Sequence, residues 1–163
     1  MSNLIRQLGY LSGGSRFRRI YEKLQIDGDR IYRASGIDFK SSWFPVYFTL
    51  SRADRPLTIM EITNQIAFSH ITVNNILKEL AQKKLVRIDA HPADRRSKVI
   101  SLTKKGTKLL DTLEPVWQQI SAVLKELLTK GHPDILAILE RIDDALEEAS
   151  FFDRFSRFNN AKR

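Results

Sequence analysis

The chain has 163 residues, of which 42% are hydrophobic and 28% are charged, values typical of a soluble globular protein. It contains no cysteine, which excludes a disulfide framework, a thiolate metal site and a thiol redox switch. No apolar run approaches the ~20 residues that cross a membrane, and the N-terminus lacks the basic and apolar regions of a signal peptide. We therefore expect a cytoplasmic protein.

The formal net charge of +8 is unevenly distributed. Residues 83–104 carry seven Lys/Arg against two Asp/Glu, and residues 1–40 carry eight against four. Residues 41–82 are neutral, and residues 105–163 carry nine against ten. A localised basic segment indicates a polyanionic partner, although a solvated surface loop would have the same composition.

The first periodic pattern predicts a helix from Ser15 to Ser35, and Gly36 is suited to terminate it. A shorter segment, residues 3–11, precedes Gly13 and Gly14 and is a weaker candidate helix. The apolar stripe of the longer helix consists of Phe17, Ile20, Leu24 and Ile31.

A second apolar segment, Trp43 to Leu50, predicts a buried helix rather than a strand. Ser41 and Ser42 precede it and Pro45 lies in its first turn, which is the turn that tolerates proline.

Two short helices with a three-residue break follow. Thr58 and Glu61 have the spacing of a capping box. Ser69 ends the break and can cap the next helix, which is predicted from His70 to Lys84. The buried face of that helix is predicted to hold Val73, Ile76, Leu77 and Leu80. This arrangement is typical of a helix-turn-helix.

Two β-like runs come next, Leu85 to Asp89 and Lys98 to Leu102. The turn between them holds the cations Arg95 and Arg96. A helix-turn-helix followed by a basic hairpin is a winged helix.

Thr103 is predicted to cap a long helix that Pro115 kinks. Its apolar stripe consists of Leu109, Leu113, Val116, Ile120, Val123 and Leu127, at the spacing of a helix packed along another helix. A break at residues 131–133 precedes a last helix with an acidic outer face, and the tail FFDRFSRF places phenylalanines at helical spacing.

Residues 58–106 resemble the winged-helix core of the MarR family of bacterial transcriptional regulators. The resemblance rests on ITVNNILKEL, KKLVRIDA and the wing signature ADRRSKVISLTKKG. The family pattern of Asp-x-Arg followed by Leu-Thr-x-x-Gly corresponds here to Asp94, Arg96, Leu102, Thr103 and Gly106. One departure is Lys84, where the family usually has glycine, at a small conformational cost.

The resemblance implies a mainly α fold with a small β-hairpin, that is, a winged helix-turn-helix with flanking dimerisation helices. Residues 41–104 would form the DNA-binding lobe, and residues 1–40 and 105–163 would supply dimerisation helices, all within one unit spanning residues 1–163. It also implies a homodimeric repressor-type regulator bound to double-stranded DNA at a pseudo-palindromic operator. The segment GIDFKSSWFPV is similar to the start of modules that sometimes precede an acetyltransferase domain, and no such domain is expected within 163 residues.

The resemblance places DNA contacts on two elements. The recognition-helix candidates are Ser69, His70, Ile71, Thr72, Asn74, Asn75 and Lys78. The wing candidates are Asp94, Arg95, Arg96, Ser97 and Lys98. Arg96 is expected to enter the minor groove, and Asn75 to pair with adenine in the major groove. Ile71 would either touch a thymine methyl or pack locally against Phe68.

Family members often bind a small aromatic or anionic effector, and candidate lining residues here are Phe17, Tyr21, Trp43, Phe44, Tyr47 and Trp117. For each of these residues taken singly, ordinary core packing is the favoured interpretation. His70, His91 and His132 share no metal-ligand spacing, and no nucleophile–base arrangement is present, so neither a metal, a cofactor nor an enzyme activity is expected. The competing function is a winged-helix interaction module that binds an acidic protein partner.

Overall fold

The computed structural model describes residues 4–93 and 97–161. The chain divides into two units, Met1–Trp117 and Gln118–Arg163. The predicted wing residues Asp94, Arg95 and Arg96 lie outside the described residues.

The first unit begins with a short helix, α1 (Leu4–Gln7), and a 3₁₀ turn (Gly9–Ser12) that leads directly into α2 (Gly13–Ala34). Helix α2 therefore starts two residues earlier than predicted. It ends at Ala34, one residue before the predicted end, and Gly36, with φ +70, terminates it as predicted. The Ile37 amide bonds to the Tyr32 carbonyl and the Gly36 amide to the Arg33 carbonyl, which are the two bonds of a Schellman cap.

A 3₁₀ turn (Ser41–Trp43) and helix α3 (Phe44–Arg52) confirm the predicted buried helix. Next to it, the Phe39 ring lies 5.0–6.4 Å from four other aromatic rings, all in edge-to-face geometry. These four rings belong to Tyr32, Trp43, Tyr47 and Trp117. The cluster forms the aromatic part of the core.

The helix-turn-helix consists of α4 (Ile59–Ile66) and α5 (His70–Gln82). Both bonds of the Thr58–Glu61 capping box are present at the start of α4. The residues predicted to be buried in α5 are buried, namely Val73, Ile76, Leu77 and Leu80.

Helix α5 ends at Gln82 rather than at Lys84. Lys84 has φ +58, the left-handed conformation that a glycine would adopt at lower cost. The Leu85 amide bonds to the Leu80 carbonyl and the Lys84 amide to the Ala81 carbonyl, so a Schellman cap ends the helix. Lys84 thus lies where the MarR family usually has glycine, and the helix still ends in the same kind of cap.

The sheet has three antiparallel strands in the order β1–β3–β2, with β1 at Leu57–Thr58, β2 at Val86–Ala90 and β3 at Lys98–Leu102. The hairpin of β2 and β3 agrees with the prediction to within one residue. The sequence does not predict strand β1, because its two residues pair with Val99 and Ile100, about 40 positions further along the chain.

Thr103 precedes α6 (Lys104–Thr129), and its Oγ1 accepts a hydrogen bond from the Gly106 amide at 3.0 Å, as predicted for the cap. Pro115 lies within α6, and its kink stays a prediction. The second unit contains the last part of α6, then α7 (Ile135–Glu148) and α8 (Phe151–Asn160), which begins with a capping box between Ser150 and Asp153.

Candidate nucleic-acid interface

The N-terminus of α5 is built by Ser69 and Thr72. The Ser69 hydroxyl accepts a hydrogen bond from the Thr72 amide at 3.2 Å, and the two hydroxyl oxygens lie 2.8 Å apart. Both residues are exposed, as is His70. This end of the helix therefore presents hydroxyl groups and backbone N–H groups to solvent, which is an arrangement suited to a phosphate oxygen.

The face of α5 opposite its buried side is exposed at Ile71, Asn75 and Lys78. Ile71 has 75% of its surface exposed, so it is not packed away against Phe68. Asn75 makes no hydrogen bond with any described residue, and its amide retains both its donors and its acceptor. These side chains have the chemistry for an adenine edge, a thymine methyl and a phosphate.

Asn74 differs from Asn75 in this respect. It is half-buried, and its Nδ2 donates to the His70 carbonyl at 2.9 Å. A side chain bonded to the carbonyl of the preceding turn has less freedom to contact a base. Asn75 is therefore the stronger candidate for a base contact.

The described part of the wing presents Lys98 as an exposed cation on β3 and Ser97 as a half-buried residue whose carbonyl accepts the His91 amide at 3.0 Å. On β2, Arg87 donates to the Ser101 hydroxyl at 2.9 Å and lies 3.1 Å from the Asp89 carboxylate. The strands thus fix the base of the wing, while Asp94, Arg95 and Arg96 lie outside the described residues.

Two open clefts border the first turns of α6. One, of about 600 Å³, is lined by Arg87, Leu102, Thr103, Lys104, Thr107, Lys108 and Asp111. The other, of about 340 Å³, is lined by Asp38, Lys83, Leu85, Lys105, Lys108, Leu109 and Thr112. Both clefts are therefore lined mainly by cations, hydroxyls and leucine side chains.

The predicted effector residues fall into two groups. Trp43, Tyr47 and Trp117 are buried, and Phe44 lies against Trp117 with the ring centroids 5.1 Å apart. Three of these residues have their polar atoms hydrogen-bonded: Trp43 Nε1 with Glu79, Tyr47 Oη with the Gly106 carbonyl, and Trp117 Nε1 with Tyr32 Oη.

Phe17 and Tyr21 are exposed on α2, at 54% and 57%. The structure brings Trp43, Phe44, Tyr47 and Trp117 into one aromatic cluster and does not bring Phe17 and Tyr21 into it. The lining prediction accordingly stays a prediction.

Sequence reasoning missed a set of side-chain pairs behind the recognition helix. Glu79 accepts hydrogen bonds from Trp43 and Lys40, and Lys83 pairs with Asp38. No periodic pattern signals these pairs, because the partners are about 36 to 45 positions apart.

Among residues 4–93 and 97–161, no group of three or more His, Cys, Asp or Glu side chains could hold a metal ion. Within the same residues, none of the helices is both long and apolar enough to span a membrane.

Comparison with known proteins adds three kinds of similarity. Residues 46–120 match the family model described as "ArnR1-like, winged-helix domain". The chain is 32% identical over 95 residues to the HTH-type transcriptional repressor NicR of Pseudomonas putida, a match that covers 58% of this chain and 60% of NicR. The chain therefore spans less than two thirds of the length of this curated relative.

Two solved structures extend the similarity to most of the chain. The transcriptional regulator MOSR of Mycobacterium tuberculosis, solved in complex with DNA, is 26% identical with a TM-score of 0.68, covering 82% of this chain and 95% of MOSR. BpsR of Bordetella bronchiseptica, whose DNA binding is regulated by 6-hydroxynicotinic acid, is 21% identical with a TM-score of 0.63, covering 83% of this chain and 93% of BpsR. At that identity, BpsR shows a shared fold.

The helix-turn-helix, the three-stranded wing and the Leu-Thr-x-x-Gly start of α6 are all in place, and the compared proteins are transcriptional regulators. The chain contains a winged-helix domain, and its fold is similar to that of these regulators.

Proposed function

We propose that this chain is a sequence-specific transcriptional regulator that binds double-stranded DNA as a homodimer. One observation carries the proposal: α5 is capped at its N-terminus by Ser69, buried on one face, and exposed at Ile71, Asn75 and Lys78 on the other. A helix with this division of faces can enter a major groove while the rest of the domain supports it.

The cations near the wing support the same proposal. Lys98 is exposed in the described wing, and Arg95 and Arg96 belong to the same turn in the sequence. We propose that Arg96 enters the minor groove, that Asp94 orients it, and that Arg95, Ser97 and Lys98 contact phosphates.

Sequence selection tests this function. The purified protein is incubated with a random-sequence duplex library, and bound duplexes are recovered and sequenced. We expect one enriched pseudo-palindrome whose half-site centres are separated by about 10 base pairs or a multiple, since a twofold dimer presents two recognition helices. Absence of any enriched sequence would contradict the proposal.

An acidic protein partner is the alternative for a basic hairpin. A salt titration with a scrambled duplex separates the two, because DNA binding weakens steeply with salt, by about 0.9 in log–log slope for each phosphate contact. Poly-glutamate is the matched acidic competitor. Stronger binding to poly-glutamate than to the scrambled duplex would favour the alternative.

We also propose that a small aromatic carboxylate modulates DNA binding. BpsR is regulated by 6-hydroxynicotinic acid, and one cleft offers Lys105 and Lys108 for a carboxylate beside two leucine side chains, while its Lys83 is paired with Asp38. Two regions are candidate binding sites for this effector. One is the cleft, and the other is formed by the aromatic residues Phe17, Tyr21, Trp43, Phe44, Tyr47 and Trp117. Release of the selected duplex by 6-hydroxynicotinate, but not by the uncharged 6-hydroxynicotinamide, is the expected result.

A further inference from the structure

The second half of α5 is tied to the segment that joins α2 to α3. One carboxylate oxygen, Glu79 Oε2, accepts hydrogen bonds from Trp43 Nε1 at 2.8 Å and from Lys40 Nζ at 2.7 Å. At the C-cap of α5, four residues further along, Lys83 Nζ lies 2.6 Å from Asp38 Oδ2. Residues 38–43, which we call the clasp segment, therefore hold α5 at two successive turns.

The clasp segment is itself anchored in the core. Trp43 is only 1% exposed, and its ring packs edge-to-face on Phe39 with the centroids 5.5 Å apart. Lys40 Nζ also lies 5.4 Å from the centroid of the Trp43 ring. A buried indole packed in this way cannot rotate freely, so its N–H gives the Glu79 carboxylate a fixed direction.

Glu79 contributes to stability mainly by accepting the hydrogen bond of the buried Trp43 N–H, and little through its ion pair with Lys40. Lys40 and Glu79 have half-exposed side chains, and exposed ion pairs contribute little to stability. A negative charge on a DNA-binding helix also repels phosphate. The two hydrogen bonds hold the pKa of Glu79 below its usual value, with Lys40 as the larger cause and Trp43 as the second, because both stabilise the charged carboxylate.

Glu79 also lies close to Asn75 on the helix. It follows Asn75 by four residues, so the two side chains are neighbours on one face of α5, a turn apart, with Asn75 exposed and Glu79 half-buried. A rotation of α5 by about 20° about its axis would move a side-chain tip by roughly 2 Å, given a helix radius with side chains of about 5–6 Å. A hydrogen bond to a base edge does not survive such a shift.

We propose that Glu79 is a positioning residue for base recognition: held by Trp43 and Lys40, it fixes the rotation of α5 so that Asn75 meets its base. This inference rests on the proposed DNA-binding function. It differs from a purely electrostatic role, in which removal of the carboxylate would strengthen binding to every duplex. It differs equally from a purely structural role, which would lower the melting temperature and leave sequence discrimination unchanged.

The test uses the full chain and the duplex that the wild-type protein enriches from a random library. The measured quantity is the ratio of Kd for a scrambled duplex to Kd for the selected duplex, taken well below the melting temperature of every variant. Glu79→Ala removes the carboxylate, while Trp43→Phe removes the N–H donor and leaves the charge unchanged. Glu22→Ala is the matched control, because it removes a carboxylate paired with Arg18 at 2.7 Å on α2 and changes the net charge by the same amount.

We expect the ratio to fall about tenfold in Glu79→Ala and in Trp43→Phe, the loss typical of a hydrogen bond to a charged group, and to stay at the wild-type value in Glu22→Ala. The salt slope on the scrambled duplex should be unchanged in all three, since no phosphate contact is removed. If Trp43→Phe is too unstable to assay, Lys40→Met takes its place, with a smaller expected fall in the same direction.

Two results would overturn the inference. One is an unchanged ratio in both Glu79→Ala and the second variant. The other is an equal gain in affinity for both duplexes in Glu79→Ala, which would indicate charge alone. Either result is distinct from a failure of the proposed function, because in that case the wild-type protein would enrich no sequence.

Discussion

The Glu61 side chain, at the start of α4, holds together the entry to the helix-turn-helix. It lies 2.5 Å from Arg55 Nη2 and accepts from the Thr58 amide at 2.7 Å and the Thr58 hydroxyl at 2.9 Å. The hydrogen bond from Arg55 is the main cause, and those from Thr58 the next, of a Glu61 pKa lowered from 4.5 to about 2. The folded state therefore favours the charged carboxylate.

A lowered pKa has a definite consequence for stability. Its contribution is fully present above the unfolded-state pKa and is lost as the pH falls toward the folded-state pKa. Glu61→Gln should melt below wild type at about pH 7, and the difference should shrink between about pH 4.5 and about pH 2. Thermal melts across this range test it, with Glu126→Gln, which removes an exposed pair with Lys130, as the control. A difference that is independent of pH would contradict the assigned role of the charge.

Gly106, at the start of α6, shows why the Leu-Thr-x-x-Gly pattern needs its glycine. A Cβ at this position would lie 2.1 Å from the Leu85 carbonyl oxygen, and that backbone is held by the cap of α5. The Gly106 carbonyl also accepts the buried Tyr47 hydroxyl at 2.6 Å. Close approach of α6 to the residue before β2, rather than an unusual φ, excludes larger residues here.

Gly106→Ala is therefore expected to destabilise the fold by about 1–3 kcal/mol, because overpacking outweighs the roughly 1 kcal/mol that alanine adds to a helix. Gly14→Ala is the matched control in α2, where no atom lies within 4 Å of the added Cβ. It should stabilise by up to about 1 kcal/mol. Urea unfolding of both variants gives the comparison, and equal stabilisation by the two would refute the close approach.

Local signals predicted the elements well, and interactions between distant residues account for what they missed. The capping box at Thr58 and the buried face of α5 follow from side chains within a few positions, so the sequence predicts them directly. Strand β1 depends on pairing with β3, and the hydrogen bond of Trp43 with Glu79 joins residues 36 positions apart. Neither contact can be read from residues that are close together in the sequence.

In the candidate site, the sequence predicts which side chains of α5 are exposed but not which of them form hydrogen bonds. Exposure at Ile71, Asn75 and Lys78 follows from helical periodicity once the buried face is known. The hydrogen bond from Asn74 to the His70 carbonyl distinguishes two adjacent asparagines that the sequence treats alike.

At the scale of the whole molecule, both units expose apolar side chains that a monomer would leave in water. On α2 these include Phe17, Ile20 and Tyr21. In the second unit they are Val123, Leu127, Leu136, Ile142, Leu146, Phe151, Phe152, Phe155 and Phe158. Surfaces of this extent indicate association.

We accordingly expect a homodimer formed by the flanking helices, with twice the 18.8 kDa mass of one chain. Sedimentation equilibrium at micromolar concentration measures this mass directly. A stable monomer of 18.8 kDa would contradict both the dimer and the pseudo-palindromic operator.

One salt titration decides whether α5 reads bases while the wing binds DNA through its charge. Wild type, Asn75→Ala and Arg96→Ala are each titrated with the selected and the scrambled duplex. Asn75→Ala should cost about 1–3 kcal/mol on the selected duplex alone, with its salt slope unchanged.

Arg96→Ala should weaken binding to both duplexes and flatten the slope by roughly 0.9 for each phosphate that the arginine no longer neutralises. Affinities for both duplexes that do not change in Arg96→Ala, or an Asn75→Ala variant that still discriminates as wild type does, would contradict the account.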